Sequence, residues 1–128
     1  KDKRGNIWLP RFFFVYSRVR MVRAIKNNKG YIMKTFKDIK FKPHKVGKGA
    51  IQGLLMLDNG IELSVVAGEG MYSTGKGGVR EAVNKVEDAS SFEVAIFDQA
   101  GNFIGADNDL VLGWQSREDI DTLIQIHS

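Results

Sequence analysis

The chain has no cysteine, two prolines and two histidines among its 128 residues. Without cysteine there is no disulfide, no thiolate zinc ribbon and no thiol nucleophile, which suits a reducing compartment. Only His44 and His127 could offer imidazole to a metal, and they stand at opposite ends of the region expected to fold, so no metal site and no cofactor is expected. Long apolar runs are missing too. The aromatic run from Phe12 to Tyr16 is hemmed in by Pro10, Arg11, Arg18 and Arg20, where a membrane helix needs about 20 apolar residues. No small-residue cleavage site follows it, as a secretory signal would require. Ser64, Ser73, Ser91 and Ser116 have no Asp and His spaced to suggest a triad, and carboxylate pairs such as Glu87 with Asp88 fall on expected surfaces. The expectation is therefore a protein that is not an enzyme and does not enter a membrane.

What is present is ordinary globular composition, 43% hydrophobic and 27% charged, in a length that suits one core. The formal net charge of +4 is unevenly spread. Residues 1–32 hold nine basic residues and one acidic, a net +8, whereas residues 51–128 hold four basic and thirteen acidic, a net −9. The basic character belongs to a leader and the domain after it is acidic. The leader could be a basic aromatic arm for anionic lipid or nucleic acid, or a basic helix for a calmodulin-like partner. A plainer reading is that Met33, opening the text MKTFKDIKFKPH, is a natural start, and that Lys29-Gly30-Tyr31-Ile32 is a translated ribosome-binding site and spacer. Residues 1–32 are then an upstream region read in frame, and 33–128 a single domain.

The organising stretch of that domain is 49–67, GAIQGLLMLDNGIELSVVA. Two aliphatic runs flank Asn59-Gly60, the dipeptide that suits a type I′ turn, and together they predict a β-hairpin. A two-residue loop places Met56 opposite Leu63 and Leu54 opposite Val65 on a dry face, with Leu57 opposite Glu62 and Leu55 opposite Ser64 on a mixed one. Before it, Phe36, Ile39 and Phe41 alternate with lysines in a short helical turn or an edge strand ended by Pro43. Lys34, Lys37, Lys40, Lys42, Lys45 and Lys48 form a basic cluster there, read as a solvated face or as gatekeepers on an edge strand. A phosphate-binding role for the cluster is the sharper alternative.

After the hairpin, residues 68–78 form a glycine-rich connection whose Gly68, Gly70, Tyr72, Gly75 and Lys76 are candidate ligand-binding residues. Bare backbone N–H groups between a strand and a helix can cradle phosphate. Residues 70–76 satisfy most of G-x-x-x-x-G-K-[ST], but Gly77 stands where a Ser or Thr hydroxyl would hold magnesium. Val79, Val83 and Val86 fall at helical spacing and predict a short helix over 79–88. Residues 91–98, SFEVAIFD, alternate as a strand with Phe92, Val94 and Ile96 on one face. A turn at 99–102 then leads into a fourth strand at Phe103, Ile104 and Gly105. Asp107-Asn108-Asp109 reads as a turn, and 110–114 as a last short strand or plug, with Trp114 closing the core. Ser116 and Asp119 open a C-terminal helix as a capping box, with Ile120, Leu123, Ile124 and His127 on its packed face. The fold class expected is α+β: an antiparallel sheet of four to five strands in two hairpins, covered by the C-terminal helix and the short insertion helix.

The texts Phe36-Lys37-Asp38-Ile39, Phe41-Lys42-Pro43-His44, Asn59-Gly60 with Leu63-Ser64-Val65-Val66, Tyr72, Phe92-Glu93-Val94-Ala95-Ile96 with Gly101, and Glu118-Asp119-Ile120 resemble small accessory proteins of tailed bacteriophages and prophages. The resemblance covers most of 33–128 and none of 1–32. Those proteins carry more glycine and tyrosine at the positions of Ile61 and Glu62 and a shorter following loop, so 77–90 looks like an insertion. The resemblance implies a phage accessory role in the cytoplasm of a bacterial host. The function expected is binding of a host or phage macromolecule, most of all a protein, with basic surfaces favoured by the net −9 beyond Ile51 and mimicry of nucleic acid as its far limit. The runner-up is a nucleotide-binding protein using the 68–78 loop. Nucleic-acid binding through the lysine cluster and the leader comes third, and homo-oligomerisation stays open.

Overall fold

The computed structural model describes residues 33–104 and 111–128. The readings made for the leader, for Gly105, for Leu110 and for the turn at 107–109 lie outside the described residues. Among the described residues there are seven strands: β1 (Lys40–Pro43), β2 (Ala50–Met56), β3 (Glu62–Gly68), β4 (Thr74–Gly75), β5 (Gly78–Val79), β6 (Phe92–Phe97) and β7 (Val111–Gln115), followed by helix α1 (Arg117–His127). Five of them pair antiparallel in the order β1-β2-β3-β6-β7, and β4 with β5 makes a two-stranded sheet of its own. This is the expected small α+β fold with its C-terminal helix.

Strand β1 is the edge strand read from the lysine-rich text, and the alternative of a helical turn holds as well, one element earlier. Residues Phe36–Asp38 form a 3-10 turn whose Thr35 and Asp38 make a reciprocal capping box. The backbone N–H of Phe36 donates to Asp121 Oδ1 at 2.7 Å, which ties the turn to α1. Ser116 and Asp119 cap α1 as expected, and its packed face holds Ile120 and Ile124 in the core, with Leu123 half-buried against it.

The first hairpin forms, but one residue out of the expected register. Leu55 pairs with Leu63 and Met56 with Glu62. Leu57 N–H donates to Ile61 O at 2.8 Å and Gly60 N–H to Leu57 O at 2.9 Å, so the loop is the three residues Asp58, Asn59 and Gly60. Only Gly60 takes a positive φ, +90°, as in a type I turn completed by a left-handed glycine. Asn59 is held otherwise: its Nδ2 donates to His127 O at 2.6 Å and its Oδ1 accepts from Ile61 N–H at 3.1 Å. A one-residue slip exchanges the two faces. The core therefore receives Leu55, Leu57, Leu63 and Val65, while Leu54 and Met56, expected on the dry face, are 55% and 52% exposed.

The insertion segment also differs. Instead of a helix over 79–88, Val79 ends the small β4-β5 hairpin and only Val86–Asp88 makes a 3-10 turn. Ten residues that include three β-branched valines and an asparagine are too few and too poor in helix propensity to hold a helix unaided. One strong contact fixes the segment as an extended strap: Val83 is fully buried and its N–H donates to Gly49 O at 2.8 Å.

The strap is fastened by Arg117. Its Nη1 donates to Ala89 O at 2.9 Å and its Nη2 to Val86 O at 2.8 Å, and the guanidinium lies 5.3 Å and 5.2 Å from the ring centres of Phe36 and Phe92. A planar fork is needed for both carbonyls and both rings. Arg117→Ala is expected to cost about 2 kcal/mol in urea unfolding, the range for losing hydrogen bonds to a charged group, and Arg117→Lys is expected to restore less than half of it.

Candidate interaction surface

One face of the five-stranded sheet meets α1 and carries the core; the other is exposed around Leu54 and Met56 but covered toward the 68–73 loop, where Val66 is buried and Glu93 Oε1 accepts the Tyr72 N–H. Cross-strand partners place Lys42, Gln52, Val66 and Glu93 in one row of that second face. Lys40, Leu54, Ser64, Ala95 and Val111 form the next, and Met56, Glu62 and Phe97 the third, where Phe97 pairs with Phe103. An antiparallel sheet tolerates one solvated face, but such a face is normally polar. This one shows Leu54, Met56 and Phe103 to solvent.

The most unusual corner lies where the 68–78 loop reaches β7. Tyr72 and Trp114, 44% and 47% exposed, stand with ring centres 5.9 Å apart. The Arg80 guanidinium sits 5.0 Å over the Tyr72 ring. Among the described residues, Arg80 and Trp114 are the two non-glycine residues with positive φ, +62° and +59°. Bulky side chains in the left-handed region cost about 1–2 kcal/mol each, and the surroundings must hold them there. They do so by backbone bonds: Trp114 N–H donates to Tyr72 O at 2.9 Å, Arg80 N–H to Ser73 O at 2.8 Å, and Gly70 N–H to Arg80 O at 3.0 Å. Arg80 Nη2 also donates to Gly70 O at 2.8 Å, and Glu93 Oε1 accepts the Tyr72 N–H at 2.9 Å. Gly113 makes the approach feasible, since a Cβ there would lie 2.8 Å from the Tyr72 Cβ.

Trp114 was expected to close the core, and it does not. The pairing of β6 with β7 shifts register between Phe92 and Val94, and such a bulge re-aims the side chains beside it. Leu112 packs against the core from β7 instead.

From Gly68 to Thr74 the N–H groups of the glycine-rich loop are already engaged and form no free cradle. The N–H of Gly68 goes to Ser73 Oγ at 3.0 Å, that of Glu69 to Gly49 O, and that of Met71 to Gly68 O. Those of Ser73 and Thr74 go to Met71 O and Ser91 O. Strand β5, and no helix, follows it, so the dipole expected to favour phosphate is missing from this position. Of the five candidate residues, Gly68 ends β3, Gly75 is buried in β4, Gly70 and Lys76 are exposed, and Tyr72 joins the aromatic corner, where the Gly70 backbone braces Arg80. Two hollows on the surface run along β1 and the 44–49 loop, and neither is lined by a residue of 68–78.

Sequence reasoning missed Arg80, Glu93 and the exposed state of Trp114. The available signal was Gly113 directly before a tryptophan on a short last strand, since glycine in a strand often marks a bulge or a close approach. Among the described residues no group of three or more His, Asp or Glu could hold a metal ion, and no helix is long and apolar enough to cross a membrane. Comparison with protein-family models, with curated proteins and with solved structures returned no match.

Proposed function

We propose that the domain is a non-enzymatic binding module that recognises a protein through the Tyr72, Trp114 and Arg80 corner. The observation that carries the reading is the exposed Tyr72–Trp114 pair with Arg80 over it, in which Trp114 and Arg80 stand on strained backbone. Strained residues cluster where function needs a fixed side chain, and Trp, Tyr and Arg are the residues that dominate binding energy at protein interfaces. A partner with an apolar anchor for the rings and a basic surround fits best, because residues 51–128 carry a net −9, with four basic and thirteen acidic side chains. A phage or prophage accessory role in a bacterial cytoplasm, with a host or phage protein as partner, rests on the sequence resemblance alone.

The test is quantitative capture from bacterial host extract by the wild-type chain and by single variants. One polypeptide should be retained by wild type, released by high salt, and weakened about 30-fold or more by Trp114→Ala or Tyr72→Ala, the effect of removing a hot spot of about 2 kcal/mol. Lys76→Ala should leave capture unchanged. Nucleotide should leave the melting temperature of wild type unmoved, because a ligand bound only by the folded state raises it. A nucleotide-dependent rise in melting temperature that disappears in Lys76→Ala would instead assign the loop to a small ligand.

A further inference from the structure

We infer that the outer edge of β1 is a second docking site, and that it takes an extended acidic segment of a partner protein as an added antiparallel strand. The inference goes beyond the aromatic corner, which lies toward β7 at the other edge of the sheet, and stands whether or not that corner binds. It begins with the register. His44 N–H donates to Ala50 O at 2.9 Å, and the pairs Lys42 with Gln52 and Lys40 with Leu54 continue the same alternation. Those residues bond inward to β2, so the N–H and C=O of Phe41 and the C=O of Pro43 point out of the sheet. Among the described residues nothing is bonded to them. Pro43, which has no N–H, stands where its nitrogen faces outward, the placement that an edge strand allows a proline.

A hollow of about 340 Å³ lies beside this edge, between β1 and the strap at 84–87. Ile39, Phe41, Ile51 and Val86 give it apolar walls, and all four belong to the core or pack against it. Phe41 points to that side, so Lys40 and Lys42 point to the other face of the sheet, where they are exposed. Lys85 adds a third ammonium from the strap, and Glu87 is the one carboxylate on the lining. Lys40, Lys42 and Lys85 make no ion pair among the described residues. Residues 33–50 hold six basic residues and one acidic, against the net −9 of residues 51–128, so this edge is the basic pole of an otherwise acidic domain.

These features select the occupant. Lysines and a proline on an edge strand keep it from pairing with its own copies, and a second β1 would bring lysine against lysine. That protection accounts for Lys40, Lys42 and Pro43 but not for the apolar hollow or for Lys85 across it. A nucleic acid would satisfy the ammonium groups and leave the Phe41 N–H and the hollow unused. An acidic strand uses all of them. Directly opposed side chains of an antiparallel pair share a face. The added strand therefore alternates, with apolar side chains opposite Phe41 entering the hollow and acidic ones between them lying beside Lys40 and Lys42. Main-chain bonds to Phe41 and Pro43 supply affinity, and the alternation supplies specificity.

Amide NMR of the full 128-residue chain, titrated with a short end-blocked peptide of alternating valine and aspartate, tests this up to about 1 mM, the range of a weak and short contact. Solvent exchange of the Phe41 amide should slow about tenfold or more at saturation, because that N–H becomes bonded. N-methylation of the valines, whose N–H groups face β1, should abolish binding, whereas N-methylation of the aspartates, whose N–H groups face away, should leave it within about twofold. Lys40→Glu combined with Lys42→Glu should raise the dissociation constant about tenfold or more, with the amide spectrum verifying that the fold is kept. Attraction of the peptide to the net +8 of residues 1–32 alone would leave Phe41 exchange unchanged and overturn the inference. So would equal binding of a peptide with the same residues in blocks, binding that valine N-methylation spares, or no binding by about 1 mM, the top of the weak range. An oligothymidylate that shifts the β1 amides where the peptide does not would assign the edge to nucleic acid instead.

Discussion

Phe92→Ala is expected to lower the free energy of unfolding by about 4 kcal/mol, the range for truncating a fully buried aromatic ring. Phe92 opens β6 with no solvent exposure, and its ring centre lies 5.1 Å from Phe36 and 5.7 Å from Phe41. Arg117 covers it from a further side. Three separate parts of the chain therefore close on one ring: the N-terminal 3-10 turn, the edge strand and the start of α1. Truncation leaves a hole that none of them can fill without giving up its own contacts, because Phe36 is fixed through its N–H to Asp121 and Arg117 through two carbonyls. Urea unfolding followed by fluorescence reads the loss as a lower midpoint at unchanged slope. Phe103→Ala is the control. That ring is 46% exposed and stacks only on Phe97 at 4.6 Å among the ring contacts described, so its removal should cost about 1 kcal/mol or less.

The second large effect is at Gly68, where alanine is expected to cost about 3 kcal/mol, the upper end for forcing atoms into a packed site. Gly68 pairs with Ala50 at the end of the hairpin. A Cβ there would lie 2.4 Å from the Ala50 Cα and 2.5 Å from Gly49 O. Both are backbone atoms, so no side-chain rotation relieves the clash. Gly49 O already accepts from Glu69 and Val83, and Gly68 N–H from its side binds Ser73 Oγ, so displacement there would loosen the strap and the loop together. Gly70 offers the comparison. Its φ is +79° but nothing lies within 4 Å of a Cβ, and Gly70→Ala should cost only about 1 kcal/mol, the penalty for a side chain in left-handed backbone. Thermal melts of the two variants separate steric exclusion from conformational strain. Gly68→Ala should also lose binding at the aromatic corner, because Tyr72 is held by the loop that starts there.

The fold was legible wherever one local signal agreed with one burial pattern. Phe92, Val94 and Ile96 alternate with Glu93, Ala95 and Phe97, and the structure buries the first three. Ser116 and Asp119 announce the start of α1 and form the expected reciprocal bonds. The first hairpin shows where local chemistry gave the wrong answer by one residue. Asn59-Gly60 favours a two-residue turn, but Gln52 and Asp58 share the alternation of Leu54 and Met56, and that polar pair marks the outward face. Burial of Leu55, Leu57, Leu63 and Val65 together outweighs the turn preference, and Asn59 is drawn off to hold the end of α1. The valines at 79, 83 and 86 gave a helical period without the length or propensity to support it, and a single buried Val83 decided the path.

The candidate site was less legible, for a physical reason. Tyr72 was singled out for its place in a glycine-rich loop, but what gives it a partner is Trp114, 42 residues further on, brought near by a bulge in β7. No local pattern encodes that meeting. Arg80 joins them through a backbone conformation that its sequence neighbours do not announce. Lys76, the most conspicuous member of the phosphate-like text, stands exposed outside the described contacts of the corner.

The most direct measurement places a photoreactive benzophenone side chain at Val79, which is 63% exposed beside Arg80 and outside the aromatic pair, and another at Lys45 on the 44–49 loop, and irradiates both in living bacterial cells that express the chain. Recognition through the corner predicts one discrete heteromeric adduct from position 79, abolished when Trp114→Ala is added, and none from position 45. An adduct from position 45 alone, or one from position 79 that persists without Trp114, would contradict it.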